Sequence, residues 1–310
     1  MTIEVPWYQP AGSLARGGNL ITLTPEDAQW RYSGLQVFAL VAGETRSIEL
    51  EGIEAAVIPL SAQGLTVDIA ADDAASVSFS LQGRAGVFAG VTDWVYVPTG
   101  SIVTITASTA GEVALATAKA EEVFPPAYLA ADSYPVTVRG AGSSTRQVNL
   151  QGHPDTFAGA HRLVWCEVLA PGGNWSSYPP HRHDGIGDCP WENEEIYYFR
   201  IGKEDLQGKV GPHGNPEGFG IHRTYTAPED PGLPVDATVE VRDGDVFLVP
   251  RGYHGPSIAA PGYPMYYLNV LAGPNDRTLS FCDDPDHAWI RESWNGVATD
   301  PRVPITPVTR

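Results

Sequence analysis

Apolar and polar residues alternate with period two over many short stretches of this chain. Examples are Ser47-Ile48-Glu49-Leu50, Ser76-Val77-Ser78-Phe79-Ser80-Leu81, Val103-Thr104-Ile105-Thr106 and Val239-Glu240-Val241-Arg242. Side chains on a strand point in turn to its two faces, so such runs predict short, half-buried β-strands. Glycine and proline, 33 and 27 of 310 residues, punctuate the runs as turn residues do. Helical periodicity is scarce, and the expected fold class is all-β.

The pattern also repeats. Thr92-Asp93-Trp94-Val95-Tyr96-Val97-Pro98-Thr99-Gly100 can be laid over Gly244-Asp245-Val246-Phe247-Leu248-Val249-Pro250-Arg251-Gly252. Each is a strand with an acidic start that ends in Pro-x-Gly, and the two lie about 150 residues apart, half the chain. Two copies of one β-domain are expected, residues 1–130 and 131–290, with a tail over 291–310. The segment from Glu121 to Pro135 is the expected connection. The copies differ chemically: all eight histidines lie in the second half, and Ile102 stands where the overlay puts His254. The first copy is therefore expected to hold no histidine-ligated metal and to serve a structural or dimerising role.

Length suffices for two domains with ordinary cores. With 19 basic against 37 acidic residues the formal charge is −18, which opposes nucleic-acid phosphate and anionic membrane. No apolar run approaches the roughly 20 residues that cross a bilayer. Cys166, Cys189 and Cys282 lie far apart without CxxC spacing, and Met1-Thr2-Ile3-Glu4-Val5-Pro6 has neither a basic region nor an apolar run. These features predict a reduced, cytoplasmic protein with no nucleic-acid or membrane partner. An anionic small substrate is compatible if a metal or a local arginine reverses the field at its site.

Candidate chemistry concentrates in three segments. His181-Arg182-His183 puts two imidazoles on one face of a strand, Glu194-Glu195 opens the strand Ile196-Tyr197-Tyr198-Phe199, and His254 follows the Pro250-Arg251-Gly252 turn. Pro179-Pro180 stiffen the entry to the pair. Neutral imidazoles with a carboxylate suit one divalent transition metal ion (zinc, manganese, iron or nickel) with open positions for water or substrate. The ligand set so read is His181, His183, Glu195 and His254. Strand phase leaves Glu194 and Glu195 open, because Glu194 shares a face with Ile196 and Tyr198, and Glu195 with Tyr197 and Phe199. Glu195 is chosen because it directly precedes the Ile196-to-Phe199 run. Tyr197, Tyr198, Phe199, Tyr266 and Tyr267 alternate along two strands and are assigned mainly to the core, with one or two lining a pocket.

The paired motifs resemble those of the cupin superfamily. The surrounding residues are more specific: Tyr178-Pro179-Pro180-His181-Arg182-His183-Asp184, Glu195-Ile196-Tyr197-Tyr198-Phe199-Arg200, Val249-Pro250-Arg251-Gly252-Tyr253-His254, Tyr266-Tyr267-Leu268-Asn269-Val270-Leu271 and Asp284-Pro285-Asp286-His287-Ala288-Trp289. They resemble the bicupin family that contains the 5-deoxy-glucuronate isomerases of myo-inositol catabolism and the 4-deoxy-5-hexosulose-uronate ketol-isomerases of pectin breakdown. The resemblance implies two double-stranded β-helix (jelly-roll) barrels. It also implies an aldose-to-ketose isomerisation of 5-deoxy-glucuronate to 5-dehydro-2-deoxy-gluconate, through an enediolate stabilised by a metal. Glu292 to Arg310 has no counterpart in the family pattern and is expected to be an extended arm or an oligomer contact; a homo-oligomer is left open.

A small anionic sugar-acid substrate needs a cation away from the metal. Arg223 and Arg251 are the candidates, with Arg223 preferred because strand alternation can point it inward. Arg223, Tyr225, Tyr253 and His222 form the candidate catalytic set, the last three as proton relays; His287 is read as structural in its turn. Three rivals remain: the 4-deoxy-5-hexosulose-uronate ketol-isomerase of pectin breakdown, over which the Tyr-Pro-Pro-His-x-His and Val-Pro-Arg-Gly-Tyr-His strings favour the inositol-pathway substrate; a cupin dioxygenase, whose pocket should be apolar and without arginine; and a non-catalytic sugar-binding bicupin, which needs no metal ligands.

Overall fold

Period-two alternation becomes period-two burial along Asp236–Arg242, where exposed and buried residues succeed one another without a break, whereas Ser76 to Ser80, with the same alternation, stay largely exposed. The computed structural model describes residues 6–71 and 74–306. Among these, antiparallel strands build four sheets, with one short helix, Ile290–Ser293.

In the first half, a six-stranded sheet runs in the order Ala127–Leu129, Trp94–Val97, Ile53–Pro59, Gly111–Lys119, Ser33–Leu40, Ile21–Leu23. It closes over a four-stranded sheet of Thr45–Leu50, Ser101–Ala107, Gln63–Ala71 and Ala74–Gly83, and Phe38, Val57, Val67, Val95 and Ile105 fill the space between them. The second half repeats the plan. Its larger sheet runs Tyr8–Gln9, Val246–Val249, Glu194–Ile201, Met265–Ala272, Val164–Ala170, Arg146–Asn149, Val136–Arg139. The facing sheet runs Asp236–Arg242, Phe219–Tyr225, Tyr253–Ala259, His181–Arg182, Cys282–Asp283. Trp94–Val97 and Val246–Val249 hold the same place in the two barrels, as the overlay expects. Ile102 and His254 are each the second residue of the strand that follows. The all-β, two-barrel architecture expected from alternation and resemblance is the one the chain adopts.

A third core lies between the halves. Leu35, Ile58, Trp94 and Tyr96 from the first pack with Trp165, Ile196, Tyr198 and Leu268 from the second. This explains why Glu194–Ile201 is apolar on both faces: Tyr197, Phe199 and Ile201 fill the second barrel, while Ile196 and Tyr198 fill the seam. Carboxylates stitch that seam. Glu54 accepts the backbone N–H groups of His161, Arg162 and Leu163, and Glu194 accepts those of Arg31, Tyr32 and Ser33.

Two expectations are corrected. Cys189 and Cys282 form a disulfide, with Cα atoms 5.8 Å apart, and only Cys166 is a free, buried thiol. Their separation of 93 residues concealed this, because the pairing of Arg182 with Cys282 brings the two segments together. The segment after Glu292, instead of extending away, lies against the second barrel as far as residue 306. Gln147 bonds Ile305 and Thr306, and Asp300 accepts from Asn174 and Arg302. No helix among the described residues is long and apolar enough to cross a membrane.

Candidate metal centre

Strand alternation sorts the His-x-His segment. His181 pairs in register with His254, while Arg182 between the two histidines faces the other way, where it bonds Asp184 and Asp230 and stacks on Tyr253. Glu195 lies on the barrel-facing side of its strand with Tyr197 and meets His183, while Glu194 lies on the seam side. Gly252 is left-handed (φ 77°) and a Cβ there would collide with the Tyr225 carbonyl, so the turn that delivers His254 requires glycine.

The donors converge. His183 Nε2 lies 2.8 Å and His254 Nε2 3.0 Å from the same Glu195 oxygen, and all three residues are buried. Ring centroids of His181 and His254 are 4.4 Å apart, and those of His183 and His254 4.9 Å. Donor atoms of His183, Glu195 and His254 all fall within 4.8 Å of one another; His181 borders this triad from outside that limit.

Charge and tautomer make the cluster fit a cation. His183 Nδ1 is 2.9 Å from the Asn193 carbonyl and His181 Nδ1 is 3.2 Å from that of Pro179. Each Nδ1–H donates there, so a neutral ring turns its Nε2 lone pair inward, the outer arrangement that metal-ligating histidines adopt. With Nδ1 committed, the 2.8 Å contact of His183 Nε2 with the Glu195 carboxylate is balanced by a proton or a metal ion between them. Burial alone would lower the His183 imidazole, but Glu195 outweighs it and raises the group above its ordinary range, so the contact favours positive charge at this point. Neither ring nitrogen of His254 makes a hydrogen bond among the described residues. Burial alone would raise the Glu195 carboxyl, but the His254 and His183 imidazoles outweigh it and hold the group well below the usual carboxylate range. Burial, then His254, pushes His181 down and keeps it neutral.

A cavity of about 390 Å³ opens over His181, His183 and Glu195. Tyr197, Tyr267, Ser177 and Asn269 line it with aliphatic residues, and Arg139, Arg146, Arg291 and Trp294 complete its wall.

The other sequence candidates lie elsewhere. Arg223 faces outward, near Asp236 (3.7 Å) and over the Tyr225 ring, because its neighbour His222 is the buried residue and adjacent strand positions cannot share a face. His222 lies deeper in the barrel, bonded to Ser257 and packed on Tyr197 and Phe247. Tyr225 shares the outward face with Arg223 and donates to Asp284; Tyr253, next to His254, stacks under Arg182 on the same side. Arg251 spends its guanidinium on the carbonyls of Pro231 and Leu233. The inward orientation expected of Arg223, and cavity positions for His222, Tyr225, Tyr253 and Arg251, are thus not found. The arginines that do line the cavity were missed: Arg139 and Arg146 pair across a hairpin upstream of every motif, and Arg291 sits in the segment taken for a tail.

The chain matches the KduI/IolB family over residues 7–290. It is 37% identical over 294 residues to a 5-deoxy-glucuronate isomerase of Geobacillus kaustophilus, covering 92% of this chain and 95% of that one. It is 35% identical over 290 residues to the enzyme of that name from Lacticaseibacillus casei, covering 92% and 97%. Among solved structures, an IolB-like protein of Salmonella typhimurium aligns with a TM-score of 0.77 at 29% identity, over 92% of this chain and 98% of that one. An oxalate decarboxylase of Lactobacillus farciminis aligns at 0.63 with 13% identity over 96% and 98%, a likeness of fold alone.

Proposed function

The chain belongs to the KduI/IolB family, and from that premise and the geometry of the site we propose that it isomerises 5-deoxy-glucuronate to 5-dehydro-2-deoxy-gluconate, with one divalent transition metal held by His181, His183, Glu195 and His254. The observation that carries the reading is the convergence of imidazoles on one buried carboxylate, at the floor of a cavity whose opposite chemistry is cationic. An aldose-to-ketose conversion moves a proton between C2 and C1 through an enediolate, so the site must favour negative charge on two adjacent oxygens. A bound divalent metal would supply Lewis acidity and a template for those oxygens.

The chain's own residues do the rest. Burial pushes the Tyr267 phenol up to about 12, the Ser176 and Ser177 hydroxyls only partly offsetting it, and pushes Tyr197 up as well. Both phenols stay protonated at neutral pH and serve as donors toward a developing oxyanion. Ser177 Oγ, 3.1 Å from the Tyr197 hydroxyl and 2.9 Å from that of Tyr267, links them into a chain that holds exchangeable protons beside Glu195. The proton-transferring group is drawn from this cavity wall, since His222, Tyr225 and Tyr253 do not reach it. The reaction is assigned to myo-inositol catabolism, and zinc, manganese, iron and nickel all suit the donor set.

The test is conversion of 5-deoxy-glucuronate followed by NMR in D2O under anaerobic conditions, with 4-deoxy-5-hexosulose-uronate supplied in parallel. Deuterium is expected at the receiving carbon of the ketose, and His183→Ala should abolish both conversion and metal content measured by mass spectrometry. Turnover of only the second uronate, or a need for O2, would refute the reading.

A further inference from the structure

Of the buried arginines among the described residues, Arg84, Arg146 and Arg182, two are paired with carboxylates and Arg146, inside the cavity, is not. Arg84 is paired with Glu167, Arg182 with Asp184 and Asp230, and Arg200 with Glu112 and Asp243. Arg277 ends its donors on the carbonyls of Leu163, Phe157 and Gly152. Arg146 is 8% exposed, lines the same cavity as His181, His183 and Glu195, and has no carboxylate partner among the described residues. Its one hydrogen bond there runs from Nη1 to the Ser144 carbonyl, 3.1 Å away, which leaves Nε and Nη2 uncommitted.

The guanidinium is nevertheless held in place. It stacks on the Trp294 ring at 5.7 Å, as does Arg291, and Arg291 is itself neutralised by Asp283. Burial drives Arg146 down to about 10; Tyr267 partly offsets this, while Arg291 and Arg139 add to it. It remains a cation at neutral pH. A buried cation without a counter-ion is costly, and the more notable in a chain of net charge −18. An anion would offset that cost, and a guanidinium edge with two uncommitted nitrogens matches a carboxylate in bidentate fashion.

We propose that Arg146, positioned by Trp294, is the subsite that receives the carboxylate of a sugar acid whose other end lies over His183 and Glu195. The assignment rests on the reading that the cavity takes a uronate. It makes Arg146 the determinant of acid over neutral sugar, in the place the sequence had given to Arg223 and Arg251.

Binding and kinetics together test it. The probes are D-glucuronate and its uncharged methyl ester, titrated by calorimetry into metal-loaded wild-type protein, Arg146→Gln and Arg146→Lys. The wild type should prefer the acid. Arg146→Gln should weaken acid binding about 30-fold to several hundred-fold, the loss expected when one partner of a buried charge pair is removed, and leave the ester unchanged. KM for 5-deoxy-glucuronate should rise in parallel with kcat within a few-fold, and metal content should not change. Arg146→Lys keeps the charge without the fork and should fall between; should Arg146→Gln not fold, this variant decides. A wild type without preference for the acid, or a folded variant that keeps the full preference, overturns the subsite. Arg146-dependent acid binding without turnover of any uronate would leave the subsite standing and bring down the isomerase reading instead.

Discussion

Two adjacent glutamates show how much one residue's facing direction decides. Glu195 meets the imidazoles, whereas Glu194 ends on three backbone N–H groups of the other half. If Glu195 is the ligand proposed above, Glu195→Gln removes its charge and should weaken metal binding about 100-fold or more. Glu194→Gln should keep the metal and lose about 2 kcal/mol of stability, as charge-assisted bonds to backbone are lost. Metal titration and urea denaturation of both variants check this; metal loss from Glu194→Gln would contradict it. The histidines were legible because His-x-His names its own face. Arg223 was not, since choosing it together with His222 overlooked that neighbours on a strand point opposite ways, and burial selected His222. Arg146 carried no signal at all: a charged residue in a wholly buried strand looks, in sequence, like an edge residue of a loop.

At the scale of elements, the alternating strands and their repeat could be read directly, because half-burial writes itself into period two. The segment after the helix could not, having no periodicity; it is held by polar latches to single side chains. Asp300 is the firmest. The Arg302 guanidinium, outweighing burial and helped by the Arg302 N–H and Asn174, holds its carboxyl down to about 2. A depressed carboxyl contributes stability that is present above its unfolded value of about 3.9 and lost as pH falls toward the folded one. Arg302 is 44% exposed, so solvent screening reduces the contribution to about 1 kcal/mol. Asp300→Asn should therefore destabilise by about that much at pH 7, with the gap to wild type closing between pH 5 and 2. Chemical denaturation across that range measures it, and a gap that persists at pH 2 would assign the latch to packing instead.

Over the whole molecule, the two barrels share a core that neither could bury alone, and against its Tyr266 lies the Arg84–Glu167 pair, one residue from each half. Both side chains are almost fully buried. Glu167 also accepts from Asn149 and Tyr266, and Arg84 donates to the carbonyls of Pro59 and Gly90. This seam was beyond sequence reading: Arg84 and Glu167 occur in stretches that predict only strands, and their partnership exists because two apolar sheet faces meet. A pair in such a place adds little net stability over an apolar substitute, yet losing one member leaves a charge that water cannot reach. Arg84→Met alone should therefore cost about 3–5 kcal/mol, while Arg84→Met with Glu167→Met should recover most of the loss. Because the pair bridges the halves, wild type and double variant should each unfold in one transition, with fluorescence and circular dichroism coinciding. The single variant is where the halves should part, the first barrel melting apart from the one that carries the candidate metal centre. A double variant no more stable than Arg84→Met would mean that the carbonyl contacts of Arg84, and not its charge, join the barrels.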